Sequence, residues 1–132
     1  MELKFLVVDD MEVNQILLQK ILQPFAKVDI AENGQVCLDK YKESLTKGKP
    51  YDVIFLDILM PVMDGQEALK KIREHESALK MDTGQEVKVI MVTSLNDWRN
   101  ALDSFKNGVA EFVTKPIDRL KIIELLGRLG IE

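Results

Sequence analysis

Three aspartates, a threonine and a lysine stand where apolar runs end in this 132-residue chain. Asp57 closes the run 53–56, inside the stretch YDVIFLDILMPVMDG at 51–65. Asp9 and Asp10 follow the run 3–8, Thr93 follows 87–92, and Lys115 follows 110–114. A carboxylate at the end of a buried run needs partners, because an unpaired buried charge is unfavourable. Three crowded carboxylates repel one another and raise their own pKa values. A divalent cation relieves that repulsion, and an all-oxygen donor set suits Mg²⁺ or Mn²⁺. With its charge offset, a carboxylate can attack phosphorus and form an aspartyl phosphate. The group in transfer spreads negative charge over its oxygens, so cations and donors must face it. The metal, the Lys115 ammonium and the Thr93 hydroxyl are such a set. Singly, each residue is ordinary, since an Asp-Asp pair after a strand usually caps a helix. No GxxxxGK[ST] or GxGxxG occurs, which argues against a nucleotide as the bound substrate.

The elements that must position these residues alternate along the chain. Strand-like runs cover 3–8, 28–31, 53–57, 87–92 and 110–114. Between them lie helical stretches. The first carries Val13, Ile16, Leu17 and Ile21 at helical spacing and ends at Pro24. The second starts at Asn33-Gly34 and runs to about Leu45, and the third begins near Gly65 with Ala68, Leu69 and Ile72 inward. Residues 80–86 read as an exposed loop. A fourth helix is expected at about 97–106, stopped by Asn107-Gly108, and a last one runs from its cap Asp118 to about Leu129. Such a βα series with very apolar strands predicts an α/β fold, a doubly wound five-stranded parallel sheet of the flavodoxin-like (βα)5 kind. The first strand is too apolar for an edge, which suits the order 2-1-3-4-5. Ligands in such sheets sit beyond the carboxyl ends of the strands, and there the five polar residues converge.

Composition narrows the class further. The chain is 46% apolar and 30% charged, enough for one packed domain spanning 1–132 with a solvated surface. Its net charge is −4, with no basic cluster, so direct nucleic-acid binding is not expected. No apolar run approaches the ~18–20 residues that span a bilayer, and the first residues lack a signal-peptide pattern. A cytoplasmic protein without membrane attachment is therefore expected. The single cysteine, Cys37, excludes an internal disulfide, and His75, in the run REHE, reads as a solvated helix residue rather than a ligand.

LVVDD (6–10), FLDILMPVMDG (55–65), VIMVTS (89–94) and EFVTKPI (111–117) together resemble the receiver domain of two-component response regulators, the CheY-like family. The resemblance covers essentially the whole chain. It implies that Asp57 is the phosphoacceptor and that Asp10 ligates Mg²⁺ with the help of Asp9. Asp57 and the backbone carbonyl of Leu59 would complete the protein ligands. Lys115 would pair with the phosphoryl group, Thr93 would donate its hydroxyl to it, and Lys115-Pro116 would be a cis peptide. Phe112 would be the aromatic that turns inward as Thr93 moves. Many relatives have tyrosine there, so its readout here must be packing. The implied donor is a histidine kinase or histidine phosphotransfer protein, and the implied output is a protein contact through the surface of the fourth helix, fifth strand and last helix. Phosphorylation would act by shifting a conformer population.

The resemblance implies a signalling domain rather than an enzyme. The opening VDDMEVNQILL and the loop 80–86 also look like receivers of hybrid histidine kinases, so relay of the phosphate to another histidine stays open. No output domain is expected after the last helix, and the chain is either stand-alone or a module of a longer protein. A Mg²⁺-dependent phosphohydrolase would need an acid two residues beyond the nucleophile, where Leu59 stands. Leu59 and Leu95 beside the site would slow water attack and lengthen the life of the phosphoform. Partner contacts are sought on the first helix, where Leu18 and Leu22 flank the core stripe near Met11 and Asn14, and at Trp98. The last helix, with Leu120, Ile122, Ile123, Leu125, Leu126 and Leu129, has more apolar residues than one inward stripe uses. It suits a monomer with a protein target or a phosphorylation-dependent dimer.

Overall fold

The computed structural model describes residues 2–94 and 108–131. The helix expected at about 97–106, with Trp98 and Leu95, lies outside them. Five strands form one parallel sheet in the order β2-β1-β3-β4-β5, as the apolar runs predict. They are β1 (Leu3–Val8), β2 (Ala26–Ala31), β3 (Val53–Asp57), β4 (Lys88–Thr93) and β5 (Glu111–Thr114). Four α-helices lie among the described residues: α1 (Glu12–Leu22), α2 (Gly34–Thr46), α3 (Gly65–Ala78) and α4 (Arg119–Arg128). β2 begins two residues before the expected Val28, because Leu3 and Lys4 of β1 pair with Ala26 and Lys27. Within the expected loop 80–86, Thr83–Gln85 form one 3-10 turn.

Each sheet face carries its own core. Alternate residues of the central strands point to opposite faces, so a strand buried on both must be apolar throughout. Every residue of β3 is buried. Leu6, Val8, Ile54, Leu56, Val89 and Met91 pack with α2 and α3, while Phe5, Val7, Val53, Phe55, Ile90 and Val92 pack with α1 and α4. Phe5 and Phe55 meet at 5.9 Å between ring centroids on the second face.

α1 departs from the expected orientation. Ile21 is buried as expected, but it is joined by Leu18 and Leu22, whereas Val13, Ile16 and Leu17 are exposed. The helix is turned by about one residue step, ~100°, relative to the stripe read from the sequence. Two apolar stripes overlap on this helix, and the one that joins Phe5, Val7 and Phe55 of the sheet with Ile122, Leu125 and Leu126 of α4 in one core is chosen by packing. Leu18 and Leu22, considered above as docking residues, are therefore core, and Met11 lies exposed. α4 follows expectation: Ile122, Leu125 and Leu126 are inward, and Leu120 and Ile123 are exposed.

The sheet edge away from the site holds a buried polar cluster. Glu76 of α3 accepts from the Tyr41 hydroxyl at 2.6 Å and from the Val87 amide at 2.8 Å, and pairs with Arg73 at 2.7 Å. Arg73 also donates to the carbonyls of Val87 and Gly108. A buried carboxylate tolerates its site because every partner is present. Burial and the Glu76 carboxylate push the Tyr41 hydroxyl far above its ordinary pKa. His75 is not freely solvated, since it is half-buried and its ring meets Tyr41 edge-on at 6.5 Å.

Candidate functional site

The strand register alone brings the candidate residues together. Val8 lies beside Leu56 in the sheet, so the next residues, Asp9 and Asp57, leave β1 and β3 side by side. Asp57 pairs with Val92, which places Thr93 one step beyond it, and Thr93 pairs with Thr114, the residue before Lys115. Asp9, Asp57 and Thr93 are buried, Lys115 is partly covered, and Asp10 is exposed. Lys115 Nζ lies 3.2 Å from Asp57 Oδ2 and 3.6 Å from Asp9 Oδ2. One carboxylate oxygen from each of Asp9, Asp10 and Asp57 falls within 4.8 Å of the others.

The charge balance is incomplete. Burial raises the Asp57 pKa most, the Asp9 carboxylate adds to the rise, and Lys115 only partly offsets them, leaving Asp57 at about 6. Asp9 Oδ1 accepts from the Met11 amide at 2.9 Å, but its buried Oδ2, 3.6 Å from Lys115 Nζ, has no hydrogen-bond partner among the described residues. A carboxylate oxygen without a hydrogen bond beside two more carboxylates is the donor arrangement that fits a hard divalent cation.

The β3–α3 loop holds Asp57 by backbone. Gly65 donates to the Ile58 carbonyl at 2.7 Å, and a Cβ on Gly65 would stand 2.2 Å from the Asp57 carbonyl oxygen, so only glycine permits this approach. Asp64 caps α3 by accepting from the Glu67 amide at 2.9 Å. The Met63 amide donates to the Pro61 carbonyl across Val62, which has φ 70°, a strained conformation for a β-branched residue. The Met63 carbonyl accepts from the Gly34 amide at 3.1 Å, tying this loop to the start of α2. Leu59 and Val62 are exposed beside the site.

Thr93 Oγ1 donates to the Ser94 carbonyl at 3.1 Å rather than to Asp57. Phe112 is half-buried against the α2/α3 core. The Lys115-Pro116 peptide is cis, as the resemblance implies. Cys37 is buried, which pushes its thiol up to about 12 and leaves it unreactive at neutral pH. Gln15 was missed by the sequence reading: its Nε2 donates to the Asp9 carbonyl at 2.7 Å. Its spacing of six from Asp9 is the only trace of that contact in the sequence.

The comparisons agree with this fold. The model of the family described as "Response regulator receiver domain" matches residues 5–127. The chain is 38% identical over 128 residues to hybrid signal transduction histidine kinase L of Dictyostelium discoideum, covering 96% of this chain and 7% of that protein. It is 35% identical over 126 residues to the chemotaxis protein CheY of Listeria monocytogenes, covering 94% of this chain and 95% of that one. The crystal structure of a CheX–CheY–BeF3–Mg²⁺ complex from Borrelia burgdorferi contains a similar fold, with a TM-score of 0.82 at 28% identity. That match covers 98% of this chain and 90% of the other. The chain belongs to the response regulator receiver domain family. Receiver domains of this family occur both in hybrid kinases and in CheY-like proteins, and this chain spans only a small part of the first kind. Among the described residues, no helix is long and apolar enough to cross a membrane.

Proposed function

We propose that residues 1–132 are one receiver module that accepts a phosphoryl group from a phosphohistidine onto Asp57. The observation that carries this is the convergence of Asp57 with Lys115, 3.2 Å away, among three carboxylates at the carboxyl edge of the sheet. An Asp57 oxygen attacks phosphorus, the P–N bond to the imidazole breaks, and its electron pair stays on that nitrogen, which takes up a proton. Mg²⁺, or Mn²⁺ in its place, would be held by Asp10, Asp57 and the Leu59 carbonyl with the help of Asp9. When bound, it supplies charge neutralisation and gathers the phosphoryl oxygens. Lys115 then exchanges its contacts with the carboxylates for the phosphoryl oxygens. Thr93 turns its hydroxyl from the Ser94 carbonyl to the same oxygens, and Phe112 follows by packing. The apolar Leu59 at the position where a phosphohydrolase needs an acid favours a long-lived signal over turnover.

The donor is a histidine kinase or a histidine phosphotransfer protein, in keeping with the likeness to a hybrid histidine kinase. Val13, Ile16 and Leu17, exposed on α1, and the exposed Met11 that precedes the helix and follows Asp10, offer it apolar surface. The exposed Leu120 and Ile123 of α4 are offered to a downstream protein target or to a second phosphorylated copy. No nucleic acid or membrane is involved, and the domain is assigned to the cytoplasm with its phosphohistidine partners.

The test is incubation with acetyl phosphate and Mg²⁺, followed by intact-mass measurement. The parent chain should gain one phosphoryl group, and Asp57→Asn or added EDTA should abolish the gain. An unmodified parent chain sinks the assignment.

A further inference from the structure

Asp9 is held at three points. Its amide donates to the Ala31 carbonyl at 3.1 Å, its Oδ1 accepts from the Met11 amide, and its carbonyl accepts from Gln15 Nε2 at 2.7 Å. The third contact is the unusual one. Beyond Val8 the β1 ladder has ended, so no strand partner faces the Asp9 carbonyl. α1 begins without side-chain capping at Met11, so no N-cap side chain ties the loop to the helix. Gln15, one turn into α1, reaches back instead. The carbonyl it grips lies in the Asp9–Asp10 peptide plane, and a peptide unit is rigid. Gripping the carbonyl therefore sets the direction from which Asp10 leaves the loop. Repulsion among three carboxylates would otherwise turn the exposed Asp10 away.

We propose that Gln15 is a positioning residue for the cation site, holding the Asp9–Asp10 peptide so that both carboxylates converge with Asp57 before the cation arrives. This rests on the metal-binding role proposed above. A tether of this kind raises affinity by removing the cost of ordering the site on binding. The expected effect of its loss is a roughly three- to tenfold weaker cation affinity, the range one net hydrogen bond commands.

The experiment is a calorimetric Mg²⁺ titration at 25 °C of the parent chain, Gln15→Met, Gln15→Ala and the control Gln19→Met, with melting midpoints taken in EDTA. Gln15→Met roughly keeps the length of the side chain and removes its amide, including the donor to Asp9. The proposal requires Kd to rise in both Gln15 variants and to stay at the parent value in Gln19→Met. An unchanged Kd in the Gln15 variants overturns it, whatever the midpoints do. An equal rise in the control overturns it too. A parent chain that binds no Mg²⁺ would instead overturn the metal role on which the proposal rests.

Discussion

Asp57 is destabilising where it stands. Its folded pKa of about 6 lies above the ~3.9 of an unfolded aspartate. Between those values the folded chain holds more of the proton, so stability falls as pH rises through this window. The penalty is absent below about pH 3 and complete above about pH 7. In metal-free protein, Asp57→Asn is therefore expected to raise stability by about 3 kcal/mol at pH 7.5 and by only about 1 kcal/mol at pH 4.5. Denaturant melts in EDTA at the two pH values check it, and an equal gain at both would refute the electrostatic cause. A residue kept against the stability of its own fold is one whose reactivity matters. Lys115 offsets the penalty only in part, because it is shared with Asp9.

The β3–α3 loop is the element most constrained by the site. It must turn the chain from a strand buried on both faces into α3 while keeping the buried Asp57 carboxylate beside Lys115 and Asp9. It does so by folding Gly65 onto the Asp57 and Ile58 backbone, with Val62 strained and Met63 locked to Gly34. Gly65→Ala sets a methyl group 2.2 Å from the Asp57 carbonyl oxygen, which is backbone and cannot rotate away. A loss of roughly 2–4 kcal/mol is expected, read as a lowered denaturation midpoint. A neutral substitution would mean the loop is looser than the structure describes. α1 makes the complementary point: it presents one apolar stripe to the core it shares with the sheet and α4 and leaves a second to solvent.

At the scale of the whole molecule, the two ends of the sheet have different tasks. The carboxyl edge gathers incompletely balanced charge, whereas the opposite edge holds Glu76, Arg73 and Tyr41 with their partners satisfied. One end leaves three carboxylates sharing one lysine, and the other ties α2, α3, β4 and the entry to β5 into a frame. Chemistry and partner choice should then be separable. Leu17→Glu, on the exposed stripe of α1, is expected to slow transfer from a phosphohistidine protein at least tenfold. Labelling by acetyl phosphate should stay unchanged. Phosphotransfer followed by gel autoradiography measures the first, and intact mass the second. Equal slowing of both would place Leu17 in the reaction centre and remove the docking role.

The sequence by itself determined the sheet, its order and the residues at its carboxyl edge. Parallel strands covered on both faces must be apolar throughout, so their ends are visible as the points where Asp57, Thr93 and Lys115 appear. Turn and cap residues such as Asn33, Asp64 and Asp118 mark the helix starts for an equally local reason. Only the tertiary structure decided how α1 is rotated, because Val13, Ile16 and Leu17 satisfy helical periodicity as well as Leu18, Ile21 and Leu22 do. Packing in one core with Phe5, Val7, Phe55, Ile122, Leu125 and Leu126 breaks that tie. The Gln15 tether and the burial of Glu76 were equally hidden. A polar side chain reveals its partner in a sequence only when the partner is local. Tyr41 and Val87 reach Glu76 across 35 and 11 residues, and it is the folded chain that brings them together.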